Sequence, residues 1–158
     1  MAKEIEKKYL VKNSNYKENS SATYIQQGYF STQKERVVRV RIKNDKGYIT
    51  IKGENNGAVR LEYEYSIPFA EAKEMIEKLC QQPVIEKYRY NFKAQDGHIW
   101  EIDEFLGDNE GLVVAEIELS DENEEFYLPE WVGEEVTSDL RYYNSNLMTN
   151  PYKNWKNK

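Results

Sequence analysis

The feature that most limits what this chain can fold into is a two-residue alternation of charge that recurs along nearly its whole length. In "KEIEKKYLV" (3–11), Glu4, Glu6 and Lys8 share one face of an extended strand, with Ile5, Lys7 and Tyr9 on the other. In "RVVRVRIK", Arg39, Arg41 and Lys43 stand opposite Val38, Val40 and Ile42. "YITIKG" sets Tyr48, Thr50 and Lys52 against Ile49 and Ile51, and "VRLEYEYSI" sets Arg60, Glu62 and Glu64 against Leu61, Tyr63 and Tyr65. The later strands repeat the pattern with Lys87 and Arg89, then Glu101 and Asp103, then Glu116 and Glu118. These faces carry eight acids and eight bases.

The strand-like stretches fall at about 3–10, 23–31, 36–43, 47–53, 58–67, 85–93, 98–106 and 112–120. Turn-forming "NDKG" (44–47), "GENNG" (53–57), "QDG" (95–97) and "GDNEG" (107–111) separate several of them, and such short connections imply antiparallel hairpins. Two segments have helical period. One follows Pro68 and places Phe69, Ala72, Met75, Ile76, Leu79 and Cys80 on a stripe ended by Pro83. The other runs through "TSDLRYYNSNLM", with Thr137 or Ser138 as N-cap and Leu140, Tyr143 and Leu147 on one side. The expected class is α+β, one domain over 1–158, dominated by a single antiparallel sheet.

Composition excludes several functions. Net charge is −6, the reverse of what duplex nucleic acid demands. The 13% aromatic content, with 13 Tyr, opposes disorder. Cys80 is the one cysteine, so no intrachain disulfide forms, and no apolar run approaches a membrane span. No signal peptide is visible at the N-terminus. A cytoplasmic protein without membrane or duplex nucleic-acid partners is the expectation; oligomeric state stays open.

A solvated face explains any one charged strand. Two features of the set point elsewhere. The third strand prefers Arg, whose planar fork suits anionic groups. The charges also segregate by sign, Arg39/Arg41 and Lys87/Arg89 against Glu4/Glu6 and Glu116/Glu118, although like neighbours repel. Clustered Arg and Lys suit phosphate, and paired carboxylates suit a divalent cation. Eight strands can close into a barrel that holds side chains or one small ligand. The faces then line a charged tunnel, and the two helices and the Tyr and Trp residues cover an apolar exterior.

The chain resembles the CYTH domain, or triphosphate tunnel metalloenzyme, family. "EIEKK" contains the family's Glu-x-Glu-x-Lys at Glu4, Glu6 and Lys8. "QGYF", "RVR", "TIK", "RLEYE", "EKYRY", "WEIDEF", "AEIEL" and the segment 128–147 follow in the family's order. The resemblance implies a closed eight-stranded antiparallel β-barrel, flanked by helices, that binds a triphosphate with Mg²⁺ or Mn²⁺, two ions in all. It implies metal ligands at Glu4, Glu6, Glu116 and Glu118, with Asp103 close by. Phosphate-gripping cations fall at Lys8, Arg39, Arg41, Lys52, Lys87 and Arg89. Glu62 and Glu64 hold a metal or orient a base, and the catalytic set is Glu4, Glu6, Lys8, Lys52, Glu62 and Glu64. Arg60 is read either as a rim ligand or as an ion-pair partner. The leading activity is hydrolysis of inorganic tripolyphosphate, with nucleoside triphosphates as poorer substrates. The rivals are a class IV adenylyl cyclase, a thiamine triphosphatase and a non-catalytic polyphosphate-binding module.

Other residues have plainer readings. His98 is expected at a strand edge, Cys80 as a buried structural thiol, and Trp100, Trp131 and Trp155 as packing. Tyr48 and Thr50 share the face of Lys52 and are candidates for phosphate hydrogen bonds. The basic tail "TNPYKNWKNK" is expected to fray.

Overall fold

The strand alternation produces strands in the order expected. The computed structural model describes residues 3–18 and 20–156. Among the described residues nine strands form: β1 (Lys3–Val11), β2 (Ala22–Ser31), β3 (Val37–Lys43), β4 (Lys46–Lys52), β5 (Val59–Ile67), β6 (Gln81–Lys93), β7 (Ile99–Phe105), β8 (Val113–Glu118) and β9 (Val132–Glu135). All pairings are antiparallel, in the order β5-β4-β3-β2-β6-β7-β8-β1. The β3–β4 hairpin turns through two residues, with Asn44 at φ 55°, a left-handed position Asn tolerates.

Closure is the work of β1. Its first residues pair with β5 (Glu4↔Arg60) and its middle pairs with β8 (Glu6↔Glu118, Lys8↔Glu116). Strands β1–β8 thus make the eight-stranded barrel the alternation implied. β9 is an addition that sequence reasoning did not separate. It pairs with the far end of β1, at Tyr9↔Glu135 and Val11↔Val132.

Three apolar clusters position the barrel. Helix α1 (Phe69–Lys78) lays Ala72 and Ile76 on Val40 and Ile42, outside β3. Gly47 permits this, since a Cβ there would lie 2.7 Å from the Ala72 Cβ. A second cluster, outside β1, β8 and β7, packs Tyr9, Tyr16, Trp100 and Trp131 edge to face, with Trp100–Trp131 centroids 5.6 Å apart. The third lies at one end of the barrel. There the inward rows change from charged to apolar: Lys8 gives way to Leu10, Asp103 to Phe105, Glu116 to Val114, Lys87 to Ile85 and Arg39 to Val37. These apolar side chains, Tyr29 among them, meet Tyr142, Leu147, Met148 and Trp155 from the C-terminal segment. One end of the charged barrel therefore has an apolar floor.

Three expectations are corrected here. The segment 137–148 is not one amphipathic helix. The Asp139 side chain accepts from the Arg141 backbone N–H and caps the start of one tight turn at Leu140–Tyr142, and a separate turn, α2 (Asn144–Leu147), follows. Leu140 is exposed, and the Thr137 hydroxyl accepts from the Lys8 N–H instead of capping a helix. The segment consequently covers an end of the barrel, and the outer face of β4 and β5, with Ile51, Leu61, Tyr63 and Tyr65, stays exposed. The tail does not fray over 149–156: Trp155 is buried, and its indole N–H donates to the Asn150 carbonyl. Residues 157–158 lie outside the described residues.

His98 clamps the β6–β7 turn to the segment 120–127. Nε2 meets Glu124 Oε2 at 2.5 Å and Nδ1 meets Asp96 Oδ2 at 2.9 Å. Hydrogen bonds donated to Glu124 and then to Asp96 raise the imidazole pKa. Backbone hydrogen bonds from Tyr127 and His98 lower Asp96 to about 2, and Ser120 and then His98 lower Glu124 to about 2. The His98 contribution is therefore complete below the free imidazole value of about 6.5 and is lost as pH rises through the higher folded value. The two acids contribute above the ordinary carboxylate range and lose that contribution as pH falls toward 2. The melting temperature of the wild type should fall more steeply than that of His98→Asn as pH is raised above neutrality. Parallel curves for the two proteins would contradict the clamp.

Candidate active site

The inward rows enclose a cavity of about 190 Å³, room for about six waters. Its lining carries the acids Glu4, Glu6, Glu62, Glu64, Glu101, Glu116 and Glu118. The bases are Lys8, Arg39, Arg41, Lys43, Lys52, Arg60, Lys87 and Arg89. Every charged residue expected at the site lines it except Asp103.

The basic wall rests on β3 and β6. Lys87 is 1% exposed and Arg89 is 6% exposed, and Asp103 from β7 lies between them. Arg89 donates to both Asp103 oxygens, at 2.7 and 2.9 Å, and Lys87 Nζ reaches Asp103 Oδ2 at 2.7 Å. Burial opposes ionisation of Asp103, but Arg89 and Lys87 outweigh it and hold the carboxyl well below its usual range. The expectation set Asp103 close to a metal; in this structure its oxygens are committed to two cations, and it is the counter-ion that orients the basic wall. Burial pushes Lys87 down to about 7, with Arg89 and Arg41 adding to the effect and Asp103 opposing it.

Arg41 and Arg39 are less fully engaged. Arg41 Nε donates to Gln27 Oε1 at 3.1 Å, and no carboxylate among the described residues pairs with its guanidinium. Burial, then Arg39 and Arg89, push Arg41 down to about 10. Arg39 donates to Thr50 Oγ1 at 3.1 Å and lies 3.7 Å from Glu64, yet its buried Nε has no partner. Thr50 in turn donates to Glu64. Thr50, fully buried and absent from the lining, thus orients Arg39 and does not face the cavity; Tyr48 does not line it either.

The opposite wall comes from β1, β5, β7 and β8. Lys8 Nζ lies 3.3 Å from Glu6 and 3.4 Å from Glu116, and Lys52 Nζ lies 3.3 Å from both Glu4 and Glu62. Burial raises the Glu4 carboxyl, Lys52 opposes, and Glu62 and Glu116 add to the rise. Burial and then Glu6 raise Glu116. Burial, then Glu4, Glu6 and Glu101, raise Glu118. Burial opposes ionisation of Glu6, but Lys8, Lys52 and a hydrogen bond with Glu116 together lower its carboxyl. Arg60 Nε is tied to the Gly53 carbonyl at 3.0 Å and its guanidinium lies over the Tyr143 ring.

This donor set fits a hard divalent cation. Its donors are oxygens alone, which suit Mg²⁺ or Mn²⁺ better than thiolate- or imidazole-seeking metals. Burial first, and then like charges forced together on this wall, raise several carboxyls, and a cation relieves that repulsion. Among the described residues no three ligands are already gathered into a metal site, because Lys8 and Lys52 hold the acids in pairs.

Glu101 and Lys43 share the inward alternation and were legible as lining residues by it. Tyr29 follows the same rule through Gln27. Tyr143, Asn144 and Ser145 line the cavity from outside any strand, and no periodicity announces them. Cys80, its thiol pushed up to about 11 by burial, packs on β2 and β3, and none of the three Trp side chains lines the cavity.

The two walls predict opposite stability effects. Asp103→Asn leaves buried cations uncompensated and should cost about 3–5 kcal/mol in denaturant unfolding. Glu118→Gln removes a carboxylate that the fold penalises at neutral pH, so it should raise the melting temperature at neutral pH and leave it unchanged in acid, where both side chains are neutral. Thermal unfolding at the two pH values checks both signs.

Comparison with known proteins agrees with this geometry. The model of the family described as CYTH domain matches residues 2–152. The inorganic triphosphatase of Acetivibrio thermocellus is 58% identical over 156 residues, spanning 99% of each chain. That of Nitrosomonas europaea is 36% identical over 148 residues, 91% of this chain and 95% of the relative. The crystal structure of the inorganic triphosphatase NE1496 superposes with a TM-score of 0.66 at 31% identity, covering 91% of this chain and 96% of that one.

Proposed function

The chain belongs to the CYTH domain family, and we propose from that premise that it is an inorganic triphosphatase, a divalent-metal-dependent hydrolase whose active site is the barrel cavity. One observation carries the reading. Two buried arginines with unspent hydrogen-bonding capacity, Arg39 and Arg41, face a wall of carboxylates across a polar cavity. An anion and a cation are the ligands such a cavity takes together.

Arg39, Arg41, Lys87 and Arg89 would grip the phosphates from one wall, with Arg60 near the Tyr143 end. A triphosphate would replace carboxylates as the partner of Lys8 and Lys52. Glu4, Glu6, Glu116 and Glu118 would hold Mg²⁺ or Mn²⁺, two ions in all, with Glu62 and Glu64 in support. The bound metal supplies neutralisation of phosphate charge and polarisation of the attacking water. Asp103 keeps Lys87 and Arg89 oriented, and the buried cations need no reorganisation as charge develops on the transferring group. Water adds to a terminal phosphorus, the phosphoanhydride bond breaks, and phosphate and pyrophosphate leave.

Inorganic tripolyphosphate is favoured over substrates with an organic group. Among the described residues, the only ring side chains in the lining are Tyr29 and Tyr143, too little apolar surface to hold a base or a thiazolium. The cytoplasm is the proposed compartment, consistent with Cys80 as the one cysteine. No helix among the described residues is long and apolar enough to cross a membrane.

Purified protein should release phosphate and pyrophosphate from tripolyphosphate with Mg²⁺ or Mn²⁺, and excess chelator should abolish turnover. Cyclic AMP from ATP as the main product would replace the hydrolase reading with a cyclase one. Arg39→Ala and Arg41→Ala should each raise KM at least about tenfold, as loss of a charge-assisted contact does. Glu6→Gln should lower kcat roughly 100-fold or more, since it removes charge from the site that stabilises the transition state. Unchanged kcat/KM in the arginine variants would return them to a structural role.

A further inference from the structure

The C-terminal segment does more than close the barrel. Asn144 Oδ1 lies 2.8 Å from Lys87 Nζ and 3.1 Å from Gln27 Nε2, so a single carbonyl oxygen takes two buried donors. Gln27 is fully buried and its amide nitrogen also donates to the Tyr29 hydroxyl, at 2.9 Å. That fixed amide holds the Asn144 carbonyl in place. Asn144 itself lines the cavity. Asp103 pulls Lys87 from β7, and Asn144 pulls it from the cavity side. With Asp103 alone, Lys87 could fold its ammonium into the ion pair and away from a ligand.

We infer that Asn144 is a positioning residue for the triphosphatase reaction: it acts through Lys87, holding the ammonium where it meets a phosphate oxygen. The inference rests on the triphosphatase reading and adds to the phosphate-binding machinery a residue that no strand contributes. Tyr143, the preceding residue, places its ring 5.3 Å from Lys8 Nζ, so the same segment touches cations on both walls. The charged groups around Lys87 are Arg89 on its own strand, Asp103 on β7, Arg41 on β3 and Glu116 on β8, and the Phe105 ring centroid lies 5.4 Å from its Nζ. None of these offers a neutral oxygen as hydrogen-bond acceptor, which makes the Asn144 carbonyl distinct.

A double-mutant cycle tests the inference. Wild type, Asn144→Ala, Lys87→Met and the double variant are compared for tripolyphosphate affinity without metal by calorimetry, for KM and kcat with Mg²⁺, and for melting temperature. Asn144→Ala should weaken affinity and raise KM by about tenfold, with a smaller change in kcat and little change in melting temperature. In the Lys87→Met background the same change should alter affinity less than about twofold, since the group Asn144 acts through is gone. Equal weakening in both backgrounds overturns the inference, as does wild-type affinity in Asn144→Ala or a loss that follows a fall in melting temperature. Should the alanine variant fail to fold, Asn144→Leu keeps the volume, removes the acceptor and carries the same expectations. Wild-type protein that neither binds nor hydrolyses tripolyphosphate would overturn the triphosphatase reading itself, a result separable from all of these.

Discussion

Asp103, held between Arg89 and Lys87, is the interaction on which the charged interior depends. Two cations this deeply buried would otherwise lose one proton or draw water into the wall, because the penalty for an unpaired buried charge is several kcal/mol. One carboxylate with both oxygens committed keeps the pair in place without a ligand. The rest of the cavity follows the same rule at lower intensity. Lys8 and Lys52 each sit between two carboxylates, and Arg39 leans on Thr50 and Glu64. The lining is nearly neutral in sum yet sorted by sign in space, so it can accept an anion and a cation together without taking up a large net charge.

Sorting by sign needs a frame that cannot relax, and the barrel supplies one. Register pairs such as Glu6↔Glu118 and Lys8↔Glu116 fix which charges are neighbours, and slipping one residue would turn every charged row outward onto the aromatic cluster. The cost of holding like charges together is offset by apolar packing elsewhere, outside β1, β7 and β8, beneath α1 and at the floor. The floor also makes the C-terminal segment part of the site. Leu147, Met148 and Trp155 anchor it, and Tyr143 and Asn144 are thereby carried into the cavity.

What the sequence disclosed follows from period. A strand has a period of two, so one correctly placed residue orients the whole row, and the eight strands and the inward rows were legible that way; thirteen of the fourteen residues expected at the site line the cavity. The neighbour order, with β1 set between β5 and β8, was not legible, because alternation says nothing of which strands pair. Asp103 lay on the right face, but its role depends on which neighbours reach it, and alternation does not carry that information. The change of the inward rows from charged to apolar was visible in pairs such as Lys8 and Leu10, and would have announced a floor. The segment 137–148 was misread because Leu140, Tyr143 and Leu147 fit a helical stripe, while the Asp139 side chain competes for the backbone N–H that a continuous helix requires. Tyr143 and Asn144 reach the cavity through tertiary packing alone, which leaves no periodic trace.

The central claim is spatial: cation ligands and phosphate ligands occupy opposite walls of one barrel. A crystal structure with tripolyphosphate and Mn²⁺, read by anomalous scattering at the manganese edge, tests it most directly. The account predicts manganese among Glu4, Glu6, Glu116 and Glu118, and phosphates against Arg39, Arg41, Lys87 and Arg89, with Asp103 still bound to its two cations. Manganese at Asp103, or tripolyphosphate held outside the barrel, would contradict it.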